Sequence, residues 1–344
     1  MKAVIFHTHG GPEVLRLEEV PDPKPGRDEV LIEVRATSIN HLDIFLRRGI
    51  PGVRIPLPKI AGSDVAGIIR EVGEDVTTVR AGQRVVVNPG ISCGHCEFCA
   101  AGHGSQCATY RIIGEHTDGA YAQLVSVPAH LVLQIPDSVS FEEAAAVPLV
   151  FLTAWSMMVR KGDIRPGEDI LILGAGAGIG TAAIQIAKLA GCRVFAAAST
   201  EEKLARAHQL GADVLINYKK DEFDKRIREL TGKRGVDVVV DYIGADTWVR
   251  SLRSARRGGR VLTCGATTGF APQTDLRQIY FRQVQVIGST MGSHCDFLDV
   301  MKLVFSGRLK PVVDRVLPLE EAGKGHELME SRSVFGKIVL RVDR

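Results

Sequence analysis

Aromatic side chains are scarce in this sequence, 6% of 344 residues, and no apolar run is long. The longest, Ala144 to Trp155, contains Pro148 and falls well short of the ~18 residues that a spanning helix needs, so a buried segment is expected there. Neither sign of charge is in excess. The 43 basic and 40 acidic residues leave +3, a balance that argues against a nucleic-acid partner or a membrane surface. The start, M-K-A-V-I-F-H-T-H-G-G-P-E, has only a short apolar run before polar residues, so no signal peptide is expected and a cytoplasmic protein is. Low-complexity tracts and internal repeats are missing. Cysteine is sparse as well: three of the seven, Cys192, Cys264 and Cys295, are scattered in apolar surroundings that suit small buried thiols. The densest basic run, Arg250, Arg253, Arg256, Arg257 and Arg260, reads as a solvated helix face rather than a binding patch.

The texture of the chain changes near residue 150. Before it, short alternating segments such as V-L-I-E-V-R-A (30–36), V-A-G-I-I-R-E-V (65–72) and R-V-V-V (84–87) are separated by Pro- and Gly-rich turns, the pattern of a compact β unit. After it, strand-like runs at 169–173, 193–197, 213–216, 236–241, 260–264 and 285–289 alternate with amphipathic helical ones. Six such strands predict an α/β, doubly wound parallel sheet.

That second half holds a glycine-rich loop, L-I-L-G-A-G-A-G-I-G-T-A-A-I-Q-I-A-K, which follows a strand and opens a helix. Glycines let the backbone approach a pyrophosphate, whose charge meets the helix N-terminus. Gly174, Gly176, Gly178 and Gly180 do not keep the strict G-x-G-x-x-G spacing, but the strand and helix units that follow support a dinucleotide site. An acid at the end of the next strand would bind a ribose 2′-hydroxyl and repel a 2′-phosphate. Here R-V-F-A-A-A-S-T-E-E-K places Ser199 and Thr200 there, with Lys203 one turn on, which favours NADP(H) over NAD(H); Glu201 and Glu202 weigh the other way.

The sequence resembles the medium-chain dehydrogenase/reductases, the superfamily of zinc alcohol dehydrogenases and quinone oxidoreductases. The resemblance runs along essentially the whole chain: G-S-D-V-A-G-I-I-R-E-V-G (62–73), D-G-A-Y-A-Q (118–123), A-A-I-Q-I-A-K (182–188), L-G-A-D-V-L-I-N-Y (210–218), G-V-D-V-V-V-D (235–241) and G-K-I-V-L (336–340). It implies a GroES-like β domain over 1–150, a Rossmann domain with a six-stranded parallel sheet over 151–289, and a return to the first domain over 290–344. It also implies a homodimer or homotetramer.

Four cysteines lie within fifteen residues. Cys93, Cys96, Cys99 and Cys107 match the C-x2-C-x2-C-x7-C of the family's structural zinc lobe. Four thiolates close a tetrahedral shell with no open position, so one structural zinc is expected and no substrate can reach it. An iron–sulfur cluster also uses C-x2-C-x2-C, but the fourth cysteine lacks the ferredoxin spacing. The catalytic zinc is another matter. Where alcohol dehydrogenases carry its ligands, this chain has N-H-L-D (40–43), G-S-D (62–64) and L-V-F-L-T (149–153), so Asn40, Ser63 and Leu149 take the three ligand positions. An amide, a hydroxyl and an isobutyl group do not make a zinc site. A displaced site from His41, Asp43, Asp64 and His116 is the rival arrangement.

The resemblance therefore implies an enzyme that passes hydride from NADPH to a quinone or an α,β-unsaturated carbonyl without catalytic zinc. Asn40 is the candidate donor to the acceptor oxygen, with His41 possible, Asp43 orienting the site, Asp64 a further catalytic candidate, and Thr153 packing on the nicotinamide. Ser199, Lys203, Tyr218 and Arg332 match positions around the adenosine 2′-phosphate. Gly244, Cys264, Gly265 and Ala266 fall at later strand ends, where such sheets bind ligands. The competing readings are a zinc-dependent alcohol or aldehyde dehydrogenase with an irregular metal site, and an NADPH-binding protein without turnover.

Overall fold

A computed structural model describes residues 1–343. Its contacts divide the chain into two compact units, Met1–Leu149 together with the segment from Ser293 on, and Val150–Gly292.

The first unit is built on the long strand Glu29–Ser38, whose alternation of apolar and polar side chains carries Val30, Ile32 and Val34 into the core. It pairs antiparallel with Ala66–Val72, Leu124–Pro128 and, at its far end, Lys337–Arg341. That last pairing (Ser38 to Val339, Thr37 to Leu340) stitches the C-terminal segment into the sheet begun by the N-terminal one. The full order is Val132–Gln134, Arg84–Val87, Ala66–Val72, Glu29–Ser38, Lys337–Arg341, Val313–Pro318. Where Glu29–Ser38 ends, the chain turns directly into the helix His41–Arg48, which is capped by an acid three residues in.

The second unit is a six-stranded, wholly parallel sheet in the order Val214–Asn217, Arg193–Ala198, Asp169–Leu173, Val236–Val240, Ala255–Thr263, Gln285–Gly288. Central strands have helices on both faces and so are mostly apolar; Val236–Val240 is buried at every position, and its one charge, Asp237, is paired with Arg234 and Arg256. This is the doubly wound α/β fold, with its crossover point beside Asp169–Leu173. The fifth strand departs from expectation. It begins at Ala255, not 260, because a register shift between Val236 and Val238 lets the chain pair early and pass through Gly258 and Gly259. The basic run is therefore not one helix face: Arg250 and Arg253 lie on the helix Trp248–Ser254, while Arg256 and Arg260 lie on the strand and pair with Asp237 and Glu168. No helix among the described residues is long and apolar enough to cross a membrane.

Candidate functional site

A cluster of polar groups lies buried in the first unit, where Glu29–Ser38 runs into the helix His41–Arg48. Asp64, fully buried, accepts hydrogen bonds from Ser38 Oγ (2.5 Å), Asn40 Nδ2 (2.8 Å) and the Leu149 backbone N–H (2.8 Å). The residues at the three ligand positions thus do converge, with Ser63 adjacent in sequence to Asp64. Between them lies an ammonium group. Lys337 Nζ donates to Asn40 Oδ1 (2.5 Å) and Ile39 O (2.8 Å), and stands 3.4 Å from Asp64 Oδ2. Burial draws Lys337 below the ordinary lysine value, against the pull of Asp64 and Asp43.

Asn40 is consequently held at both ends: its carbonyl faces Lys337 and its Nδ2 faces Asp64 and Ser38 O. In this arrangement its amide hydrogens are spent inside the protein. The free donor nearby in sequence is the Ser63 hydroxyl, buried and with no hydrogen-bond partner among the described residues.

Asp43 lies one turn along the helix. Its Oδ2 accepts from Asn40 N–H (2.8 Å) and Tyr121 O–H (3.1 Å), and its Oδ1 from Gly62 N–H (3.1 Å). Behind it runs a chain of buried groups. Arg47 Nη1 lies 3.3 Å from His326 Nδ1, and His326 Nε2 lies 3.1 Å from Tyr121 Oη. Arginine can only donate, so His326 Nδ1 accepts, its Nε2–H donates to Tyr121, and the tyrosine proton is turned toward Asp43. The far end of Arg47 is paired with Glu330. Burial nonetheless pushes the Asp43 carboxyl up to about 6, with the Asn40 and Gly62 donors opposing it. Burial, and then Lys337, lowers His41 to about 4, so His41 is neutral at pH 7. His41, Asp43, Asp64 and His116 do not form a ligand set: the latter's Nδ1 accepts from Ile112 N–H.

In the second unit the glycine loop makes a tight turn into a helix. Gly174 turns at φ +62°, and a Cβ on Gly180 would lie 2.4 Å from Gly174 O, so the loop packs too closely for a side chain there. The helix Gly178–Leu189 starts from Ala177, which has no side chain to cap it, and the N–H groups at a helix start suit an anion. Tyr242 O–H supports the turn from below by donating to Gly174 O (2.8 Å). Gly244, at φ +97°, packs on Ala266, bringing the loops that hold Gly244, Cys264, Gly265 and Ala266 together. Burial pushes the Cys264 thiol up to about 12, unsuited to a nucleophile. Thr153 is buried, its hydroxyl donating to Met291 Sδ (3.6 Å). Ser199 and Lys203 lie at the start of the helix Glu201–Gln209, where Thr200 caps the Lys203 N–H, and Tyr218 packs on the core of the sheet. Arg332 belongs to the first unit, in a left-handed conformation after the helix Ala322–Glu330.

The four cysteines converge. The Sγ atoms of Cys93, Cys96, Cys99 and Cys107 all lie within 4.8 Å of one another, with Cys96 to Cys99 at 3.5 Å and Cys93 to Cys99 at 3.9 Å. Zinc–thiolate bonds of ~2.3 Å in a tetrahedron would place sulfurs about 3.8 Å apart, so the set fits such an ion. Backbone N–H groups of Cys93 and Cys96 point at the sulfurs of Cys107 and Cys93, as thiolates need. His95 and His103 stand outside the set. It is the one metal-ligand group of this kind among the described residues.

Two stretches of the chain match family models, residues 26–137 an alcohol dehydrogenase GroES-like domain and residues 178–306 a zinc-binding dehydrogenase. A crystal structure of an NAD-dependent alcohol dehydrogenase superposes over 100% of both chains with a TM-score of 0.96 and 45% identity. An acryloyl-coenzyme A reductase of Sulfurisphaera tokodaii is 31% identical over 99% of this chain and 100% of its own. The Escherichia coli quinone oxidoreductase, solved with NADPH, matches with a TM-score of 0.85 and 30% identity over 99% of this chain and 100% of that one. The chain belongs to the medium-chain dehydrogenase/reductase superfamily, a family of nicotinamide-dependent oxidoreductases.

Proposed function

We propose that the chain reduces a quinone or an α,β-unsaturated carbonyl with NADPH and uses no metal ion at the reacting oxygen. The observation that carries this reading is the donor set at the three converging positions. Asn40, Ser63 and Leu149 offer an amide, a hydroxyl and a backbone N–H, and the Lys337 ammonium already balances Asp64. A divalent cation there would face a resident positive charge, and none of the three positions supplies a thiolate or imidazole. Bound NADPH would supply the hydride from its nicotinamide ring. The protein's part is to hold the loop of Gly174, Gly176, Gly178 and Gly180 against the pyrophosphate and to keep Asn40, His41 and Ser63 as neutral polar groups for an acceptor oxygen. Ser63, with its hydroxyl unspent, is the donor in this reading, and Asn40, whose amide hydrogens go to Asp64 and Ser38, holds the site around it. The cysteine lobe carries one structural zinc in this reading.

The 45% identity to a structure described as an NAD-dependent alcohol dehydrogenase favours a second reading, alcohol oxidation. One set of measurements separates the two. On chelator-washed protein, zinc per chain is counted and turnover is compared for NADPH with quinones and enones, and for NAD with alcohols. One zinc with enone or quinone reduction supports the proposal. Two zinc ions with alcohol oxidation overturn it.

The same reading assigns a homo-oligomer. Among the described residues the edge strand Gln285–Gly288 pairs on one side alone, and Leu276, Tyr280, Phe281 and Val286 stand exposed near it in sequence, which suits a second copy of the chain.

A further inference from the structure

An acid one or two residues beyond a strand of this sheet is the ordinary partner of a ribose 2′-hydroxyl, and Glu201 stands in that region, three residues past Arg193–Ala198. Its carboxylate is directed elsewhere. Glu201 Oε1 accepts from Asn217 Nδ2 at 2.7 Å and from Lys220 Nζ at 2.8 Å. Both donors come from the neighbouring strand end, since Asn217 pairs with Ala198 in the sheet. Asn217 is buried, and its Oδ1 accepts the Lys219 N–H at 3.1 Å, which fixes the amide so that its nitrogen must face Glu201. The tight turn after it, in which Lys220 and Asp221 N–H both reach Asn217 O, brings the lysine back over the same oxygen.

We propose that Asn217 and Lys220 form a latch that holds Glu201 toward the Val214–Asn217 strand end and thereby makes the adenosine end of the site select a 2′-phosphate over a 2′-hydroxyl. Held there, the acid is neutralised by Lys220 and leaves the Ser199 hydroxyl, at the end of the strand Arg193–Ala198, as the group nearest in sequence for the ligand. Released, Glu201 brings an unpaired negative charge to the first turn of Glu201–Gln209 and opposes a phosphate. The latch rests on the NADPH reading above, and it explains how a sequence with Glu201 just after the strand can still take NADPH.

The test is calorimetric titration of the full-length protein with 2′,5′-ADP and 5′-AMP, fragments that differ in the 2′-phosphate. The wild type is expected to prefer 2′,5′-ADP. Asn217→Ser with Lys220→Met is expected to reduce that preference about tenfold, the scale of one lost charge-assisted contact. Adding Glu201→Gln to this pair is expected to restore it. Lys220→Glu, at an exposed position, should break the latch by repulsion without disturbing buried Asn217, and should again be reversed by Glu201→Gln. If the preference falls but Glu201→Gln does not restore it, Lys220 binds the phosphate itself and the latch is wrong. An unchanged preference in the variants of a wild type that favours 2′,5′-ADP overturns the latch alone. A wild type that binds 5′-AMP at least as tightly overturns the NADPH reading, and the latch with it.

Discussion

Lys337 illustrates how a single buried charge can organise a site. Its three acceptors, Ile39 O, Asn40 Oδ1 and Asp64 Oδ2, use its three protons, and it is the nearby cation that balances Asp64. Removing one partner of such a pair strands the other, which typically costs ~3–5 kcal/mol. Lys337→Met should therefore lose about 3 kcal/mol in urea unfolding, the low end because Ser38, Asn40 and the Leu149 N–H still hold Asp64. Asp43 gives a pH test. Its folded value of about 6 exceeds the unfolded 3.8, so the protonated form is the one that folding favours. The stability linked to that proton is fully present below about pH 4 and is lost as pH rises through 6, in all roughly 3 kcal/mol. Asp43→Asn does not titrate. The wild type's stability relative to this variant should fall between pH 4 and pH 7 when unfolding is followed at both, and a rise would mean that the three donors outweigh burial. Asp43 and Asp64 stood out in the sequence through their motifs, N-H-L-D and G-S-D. Their partners did not, because Tyr121 lies 78 positions from Asp43 and Lys337 lies 273 from Asp64, while His326 stands 205 from the Tyr121 it bonds. A lysine within the apolar run F-G-K-I-V-L and an arginine in I-F-L-R-R were the available signals of buried charge.

At the level of elements, the glycine loop and its helix behave as one unit. Gly180→Ala would set a Cβ 2.4 Å from Gly174 O and 2.9 Å from Ala175 backbone, and backbone cannot swing aside as a side chain can. The turn at Gly174 must open, and dinucleotide affinity should fall tenfold or more in a fluorescence titration with NADPH, while the helix His41–Arg48 and its buried cluster stay intact. An unaltered affinity would show that the loop does not carry the pyrophosphate. Strands were legible here because parallel, doubly covered strands read as short apolar runs bounded by glycine; Asp169–Leu173 starts and ends where its sequence pattern does. Ala255–Thr263 was misjudged for a physical reason. Two arginines and two glycines interrupt its pattern, and the register shift that accommodates them depends on its neighbour Val236–Val240, not on its own residues.

For the molecule as a whole, the chain's two-part texture has a simple cause. A sheet that is antiparallel and partly solvated alternates polar with apolar, whereas a parallel sheet under helices does not, and the change from one to the other falls at Leu149 and Val150. The return after Gly292 was legible through resemblance alone, since pairing of Lys337–Arg341 with Glu29–Ser38 joins residues some 300 positions apart. The parallel sheet ends in Gln285–Gly288, whose outer row of backbone groups is unpaired among the described residues, with Val286 41% and Phe281 62% exposed beside it. Monomers seldom leave such an edge bare, and a two-fold axis lets the same strand of a second copy cover it. Phe281→Asp with Val286→Lys places two charges on that surface and leaves the sheet's core untouched. The wild type is expected to elute at twice or four times 37.2 kDa in light-scattering chromatography, and the double variant at a smaller multiple with unchanged helix and strand content. If the double variant keeps the wild-type mass, the copies meet elsewhere; if the wild type is already a monomer, the edge is protected by its short length of four residues instead.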